Sequence, residues 1–352
     1  MPFRDILGHE RVLELLARSI EQGSLPPSQL FAGPSGVGKR LVALAVAQAL
    51  NCLDPVRSAP PEGGAGARSP EPGAARDSCG VCASCTRIAR HVHHDVVRLA
   101  PDEDGSLGID EVRAMLDQVA YRPFEARRRV VIIEEADALG SPAQSALLKT
   151  LEEPPPATVF ILVSARPDAL LPTVLSRCPR LRFRSLTVAE IAHALVARGY
   201  TEAEARAVAA NADGSLGRAL EARAGDVLQA RQLAGQVLRQ VAHGGSPRDR
   251  LEQAKALVAK RGSGGSAASD RDQLATYLRA MSSLLRDVEL LACGADEQAL
   301  ANADVKPELE RLSDAYAGGR SRHAFAAVDR ALGALDRNAS AKIVADWIVL
   351  QL

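Results

Sequence analysis

The chain has 352 residues, 47% of them hydrophobic, enough to bury more than one core and to divide into two or three domains. Its 43 basic side chains balance 43 acidic ones, which excludes nucleic-acid binding driven by a large overall basic excess and leaves only local contacts. No run approaches the roughly 20 continuous apolar residues that span a bilayer, and Met1-Pro2-Phe3-Arg4-Asp5 lacks the layout of a secretion signal, so a cytoplasmic protein without membrane contact is expected.

From the N-terminus, short apolar or β-branched runs alternate with helical patterns, which reads as an α/β domain with a largely parallel sheet. Strands are predicted at Gln29–Ala32, Asp95–Leu99, Arg129–Ile133, Thr158–Val163 and Arg180–Phe183, and helices at 9–21, 38–51, 80–91, 109–119 and 142–152. The last of these helices has Ser141 as its predicted N-cap and Pro142 at its first position. Ala143, Ala146, Leu147 and Leu151 share one face, and Pro154-Pro155-Pro156 stops the helix. Residues 54–78, DPVRSAPPEGGAGARSPEPGAARDS, hold almost no large apolar side chain. Burial cannot offset the entropy of ordering such a segment, so it reads as a disordered insertion inside the first domain.

Beyond about residue 185 only helical signals remain. Thr187 and Thr201 start helices over 188–198 and 202–211, and a third over 216–224 completes a small three-helix domain spanning 185–225. Residues 226–352 read as an all-helical domain, with a flexible Gly/Ser break from Arg261 to Ser269. The final helix carries Trp347, and its apolar side is read as core packing rather than an exposed partner surface.

The segment Gly33-Pro34-Ser35-Gly36-Val37-Gly38-Lys39 has the G-x4-G-K spacing of a phosphate-binding loop and stands between an apolar strand and the helical run LVALAVAQAL. Glycines at Gly33, Gly36 and Gly38 let backbone amides curl around a β-phosphate, and Lys39 reaches the β- and γ-phosphates of ATP or the β-phosphate of ADP. A Ser or Thr belongs next, because its hydroxyl ligates Mg2+; this chain has Arg40. Arginine coordinates no metal and brings a permanent charge to the place of the ion, unless it points to solvent and leaves a weak nucleotide site. At the end of the strand Val130–Ile133, Glu134 and Glu135 occupy the positions of an acid pair that organises the metal and positions the attacking water. Glu134 is one methylene longer than the usual Asp and disturbs the metal geometry a second time, whereas Glu135 retains the means to polarise water.

Of the six cysteines, Cys79, Cys82 and Cys85 form a C-x2-C-x2-C pattern, the spacing of a structural zinc site. Tetrahedral zinc needs a fourth ligand, for which Cys52 and the group His91, His93 and His94 are the candidates. Cys178 and Cys293 read as buried small hydrophobes.

The run SPAQSALLKTLEEPPPATVFILVSARPDALLPTVLSRC, from Ser141 to Cys178, resembles the signature of bacterial clamp-loader AAA+ subunits, with its ALLKTLEEPP helix end and its Ser176-Arg177-Cys178 triplet. Together with the P-loop and the cysteine cluster, the resemblance covers residues 1 to about 220. It implies a P-loop AAA+ domain over 1–184 with a zinc module at about 52–85, a three-helix lid over 185–225 and an all-α collar over 226–352. It implies Cys52 as the fourth zinc ligand. It also makes Arg177 an arginine finger projecting into a neighbouring subunit's ATP site, a contribution of roughly 10³ to 10⁵ in rate where such fingers act.

Ser164 falls at the family's γ-phosphate sensor, the alternative being a strand-end hydroxyl bonded to the backbone. Gly214-Ser215-Leu216-Gly217-Arg218 resembles the second sensor region, but Gly217 intervenes and turns Arg218 about 100° further around the helix. The family's gamma/tau motor subunits keep Lys-Thr or Lys-Ser and an Asp-Glu pair, so Lys39-Arg40 and Glu134-Glu135 point to a non-motor member. Implied partners are gamma/tau ATPase subunits, a delta subunit, the sliding clamp and primer–template DNA. Two rival readings stand beside this one: a gamma/tau-like ATPase that tolerates Arg40, and a zinc-dependent DNA-binding module, against which the zero net charge weighs.

Overall fold

Seven strands occur among the described residues: β1 (Ser28–Ala32), β2 (Val56–Arg57), β3 (Arg76–Asp77), β4 (Val96–Leu99), β5 (Arg129–Ile133), β6 (Thr158–Ser164) and β7 (Arg180–Arg182). The computed structural model describes residues 1–57, 76–102, 105–222, 224–242, 244, 246–258, 267–296, 299–337 and 339–352, and the chain divides into two units, Met1–Ser185 and Leu186–Leu352. The first unit is built on a five-stranded sheet of order β4-β5-β6-β1-β7 in which every neighbouring pair is parallel. It also carries helices α1 (Glu10–Glu21), α2 (Lys39–Asn51), α3 (Ala83–Ala89), α4 (Ile109–Val119), α5 (Ser141–Glu152) and α6 (Pro172–Leu175).

Strands β1, β5 and β6 are buried along their whole length because helices cover both faces, the arrangement that makes their sequences continuously apolar. Alternate side chains serve alternate faces. Phe31, Val130, Ile132 and Ile161 pack with Leu16 of α1 and with Val42 and Val46 of α2. Leu30, Val131, Ile133, Phe160 and Leu162 pack with Val112 and Met115 of α4 and with Leu147 and Leu151 of α5. The P-loop follows β1, the acid pair follows β5 and Ser164 ends β6, so the candidate residues gather at the carboxyl ends of central strands, where open α/β sheets bind ligands.

Several local expectations are corrected. Helix α5 begins at Ser141 itself, with Gly140 in the cap position and no side-chain cap, so Ser141 is not the N-cap. Helix α3 begins at Ala83 rather than 80, because Gly80 has φ +80° and Cys82 is the N-cap. The insertion predicted over 54–78 lies mostly outside the described residues, but its ends are ordered: Val56–Arg57 pairs antiparallel with Arg76–Asp77, and Asp77 is buried. Its carboxylate accepts hydrogen bonds from the backbone N–H groups of Phe3 and Arg4 and from the Arg4 guanidinium, tying the N-terminus to this hairpin.

In the second unit, α7 (Val188–Val196), α8 (Glu202–Asn211) and α9 (Leu216–Glu221) enclose a small core that includes Ile191, Leu195, Val208 and Ala219. Thr187 and Thr201 each form a complete capping box, with Glu190 and Glu204, which explains where these two helices start. A separate cluster joins α10 (Ala224–Ala242), α11 (Pro247–Val258), α12 (Ala267–Ala292), α13 (Lys306–Ala315), α14 (Arg320–Asp336) and α15 (Ala341–Gln351). The predicted Gly/Ser break falls largely outside the described residues, and its last part is helical, since α12 begins at Ala267. Trp347 packs against this core with the Arg330 guanidinium 5.5 Å from its ring centre. Among the described residues no helix is long and apolar enough to cross a membrane.

Candidate functional site

The loop after β1 has the backbone that its glycines permit. Gly36 and Gly38 lie at φ +74° and +104°, in the left-handed region that favours glycine. A Cβ on Gly33 would meet the Phe183 carbonyl oxygen at 2.2 Å, so the chain just beyond β7 leaves room for nothing larger. His9 supports the loop from beneath, its Nε2 lying 2.8 Å from the Val37 carbonyl oxygen. Lys39 is buried, and its Nζ donates to the carbonyls of Gly33 and Pro34, each at 2.6 Å. Burial lowers its pKa to about 8, against the attraction of Asp137 and Glu135.

Arg40 is engaged with Glu134, the first residue of the acid pair. Its Nη1 lies 3.4 Å from Oε2 of Glu134, although 60% of the Arg40 side chain is exposed. The other oxygen of Glu134 accepts from Arg98 on β4, at 2.7 Å from Nε and 2.6 Å from Nη2. Both oxygens of this buried carboxylate therefore face guanidinium groups. Mg2+ does not fit this donor set: the residue after Lys39 brings a cation instead of a hydroxyl, and the carboxylate meant for the ion is neutralised twice. The sequence reading did not single out Arg98, whose only signal is its place on the neighbouring strand.

Glu135 is exposed and has φ +48°, capping the short 3-10 turn Ala136–Ala138. Ser164 is buried, and its hydroxyl donates to Oδ1 of Asp137 at 2.8 Å while accepting from the Arg166 backbone N–H. Asp137 also accepts from the Ala165 backbone N–H and from the Arg166 side chain, and these bonds outweigh its burial to lower its pKa. The partner of Ser164 is thus both a carboxylate and a backbone amide.

Arg177 stands beyond α6, where its Nε donates to Glu152 at 2.7 Å and its Nη1 to the Thr173 carbonyl at 2.8 Å, with a second, shorter contact from Nη2 to Glu152. These partners belong to α5 and α6, not to the P-loop of the same chain. Arg218 lies in the second unit, where its backbone N–H is capped by the Ser215 hydroxyl and its side chain is 3.7 Å from Asp213. Glu152 and Asp137 escaped the sequence reading because isolated acids carry no periodic signal; Glu152 is exposed, whereas the Asp137 side chain is largely covered.

At the other end of α2 the sulfurs of Cys52, Cys79, Cys82 and Cys85 all lie within 4.8 Å of one another, and those of Cys52 and Cys82 are 4.0 Å apart. A zinc–thiolate distance of about 2.3 Å in a tetrahedron requires sulfur separations of about 3.8 Å, so the donor set fits zinc closely. Backbone N–H groups of Cys79 and Cys82 donate to the sulfurs of Cys52 and Cys79, each at 3.2 Å. Burial opposes ionisation of Cys82, but backbone N–H groups of Cys85 and Leu53 and the neighbouring thiols outweigh it and lower its pKa to about 6. Burial pushes the Cys85 thiol up. Of the histidine candidates, His93 is turned elsewhere: its Nδ1 accepts from the Asp95 backbone N–H and its Nε2 faces Glu125 at 3.7 Å, and among the described residues the metal-competent group holds cysteines alone. Cys178 is buried as expected, whereas Cys293 is exposed, which corrects that reading.

Comparison with known proteins brings these observations together. A family model described as DNA polymerase III, delta subunit, matches residues 8–187. DNA polymerase III subunit gamma/tau of Mycobacterium tuberculosis H37Rv is 32% identical over 327 residues, 92% of this chain and 47% of that protein. DNA polymerase III subunit tau of Escherichia coli K12 is 34% identical over 193 residues, 55% of this chain and 27% of that protein. The chain thus spans about half the length of these curated relatives or less. Among solved structures, a gamma subunit-related protein from Thermotoga maritima is 17% identical, covers 96% of this chain and 97% of its own, and has a TM-score of 0.40.

Proposed function

This chain belongs to the DNA polymerase III delta subunit family, and from that premise we propose that it is a delta-prime-type, non-motor subunit of a clamp loader. The observation that carries the reading is the ion pair between Arg40 and Glu134, which stands where a hydrolysing subunit places its metal ligands. In this reading the chain contributes to ATP hydrolysis through Arg177, whose guanidinium leaves Glu152 and enters the ATP site of an adjacent gamma/tau subunit. A guanidinium there stabilises charge developing on the transferred phosphoryl group.

The four cysteines hold a structural zinc ion, for which they offer a complete thiolate set; bound there, zinc ties Cys52 at the end of α2 to the segment Cys79–Cys85 and leaves no position for substrate. The lid over 185–225 and the collar over 226–352 serve assembly with gamma/tau and delta subunits. The complex as a whole loads a sliding clamp on primed DNA, and DNA contacts are made through it.

The test is a reconstituted complex carrying Arg177→Ala. Assembly should be unchanged and DNA-stimulated hydrolysis reduced; unchanged turnover would remove the finger. The gamma/tau names of the relatives favour a second reading, a hydrolysing subunit that tolerates Arg40. Magnesium-dependent turnover at a motor-like rate by the isolated chain would select that reading over ours.

A further inference from the structure

We propose that the P-loop of this chain binds a nucleoside polyphosphate free of divalent cation, with the Arg40 guanidinium taking the place of the metal. The inference rests on the non-motor reading and deepens it. In a metal-dependent P-loop the residue after the lysine and the first acid after the central strand are ligands of one ion, so their side chains converge on one point. Here those residues are Arg40 and Glu134, which are 94 positions apart in the chain and 3.4 Å apart in space. The convergence is kept, and the cation at its centre is part of the protein.

The phosphate cradle has kept its shape. Gly36 and Gly38 retain the left-handed backbone, and Lys39 stays within the curve of the loop on the Gly33 and Pro34 carbonyls. Lys39, Arg40 and Arg98 bring three positive charges around Glu134, with Asp137 and Glu135 near enough to act on Lys39. Asp137 is occupied by Ser164 and Arg166, and Glu135 is exposed. A divalent ion brought here meets a permanently charged guanidinium and a carboxylate already paired, so it is repelled rather than bound. A polyphosphate meets a planar donor suited to two of its oxygens.

The presence of two arginines on one carboxylate gives this arrangement its freedom. Arg98 is the better covered, with 26% of its side chain exposed against 60% for Arg40. When Arg40 swings from Glu134 to a phosphate, Arg98 remains, and the buried carboxylate is not left unpaired. The site therefore accepts phosphate without breaking its own charge balance, and it lacks the metal chemistry needed to cleave it.

The experiment measures binding of a fluorescent ADP analogue to the full chain in magnesium-free buffer and again in excess magnesium. No chelator is used, since one would attack the cysteine site. Binding without magnesium is expected, with no gain on adding it. Lys39→Ala should abolish binding, and Arg40→Ala should weaken it by about tenfold or more, the scale of one charge-assisted hydrogen bond. The double variant Arg40→Ser with Glu134→Asp should acquire a magnesium requirement.

Binding that needs magnesium in the unaltered chain, binding indifferent to Arg40→Ala in a folded protein, or no binding at all would each overturn the proposal. Those failures leave the finger untouched if Arg177→Ala still lowers turnover of the complex. Magnesium-dependent hydrolysis by the isolated chain would end both.

Discussion

Helix α2 has thirteen residues and so spans about 20 Å, and its two ends answer the same demand in opposite ways. At its C-terminus Cys52 meets Cys79, Cys82 and Cys85, a set of four soft donors. At its N-terminus Lys39 and Arg40 meet Glu134, and the position of a hard cation is taken by a guanidinium. Both places are marked by spacing motifs that bring distant residues together. What fills the point of convergence is decided by the few side chains that meet there: at the phosphate end Arg40, Glu134 and Arg98 make an ion-paired cluster in place of a metal site.

The largest expected effect sharpens that contrast. Removing the metal from the cysteine end, by a chelator or by Cys85→Ser, should forfeit binding energy on the order of 10 kcal/mol that contributes to folding. Metal analysis should find one zinc per chain, and limited proteolysis should open the segment between Cys79 and Ala89. A melting curve indifferent to chelator would break the comparison.

Asp95 tells a local effect from a global one, because it serves neither end of α2. It is fully buried, accepts from the backbone N–H groups of Phe124, Glu125 and Ala126, and pairs with the buried Arg129 at 3.0 Å. Asp95→Ala should cost about 3–5 kcal/mol in urea unfolding, since it leaves a buried guanidinium uncompensated. Burial works against its ionisation, but these N–H groups and Arg129 prevail and lower its pKa to about 2. Its contribution is therefore complete above its ordinary value near 3.8 and lost as pH falls toward 2, a dependence that Asp95→Asn should abolish.

Gly33→Ala is expected to act at the phosphate end alone. Its Cβ would collide with the Phe183 backbone, at about 1–3 kcal/mol for overpacking. Phosphate binding should be lost with zinc content unchanged; loss of zinc would show that α2 couples its two ends. The smallest effect is a titration. The ammonium form of Lys39 is the one that attracts phosphate, so nucleotide affinity should decline as pH rises through about 8.

Most of the framework was legible in the residues. The five parallel strands, the P-loop, the cysteine set and the two threonine caps follow from local pattern, since continuous apolar runs, glycine spacing and capping boxes are properties of neighbouring residues. Errors fell where one side chain's partner lies far along the chain or where a helix start depends on a turn, as at Gly80 and Ser141. Asp77 looked like the tail of a disordered insertion because nothing local announces that it will receive the N–H groups of Phe3 and Arg4.

By itself, then, the sequence determined that phosphate-binding and thiolate motifs exist and that Arg40 and Glu134 depart from the metal pattern. Only the tertiary structure decided that these departures answer each other. Parallel pairing sets Arg98 of β4 beside the end of β5, and the start of α2 faces the same point. A charge can be read from sequence, but its energy depends on distance and burial, and those are set only when the strands are side by side.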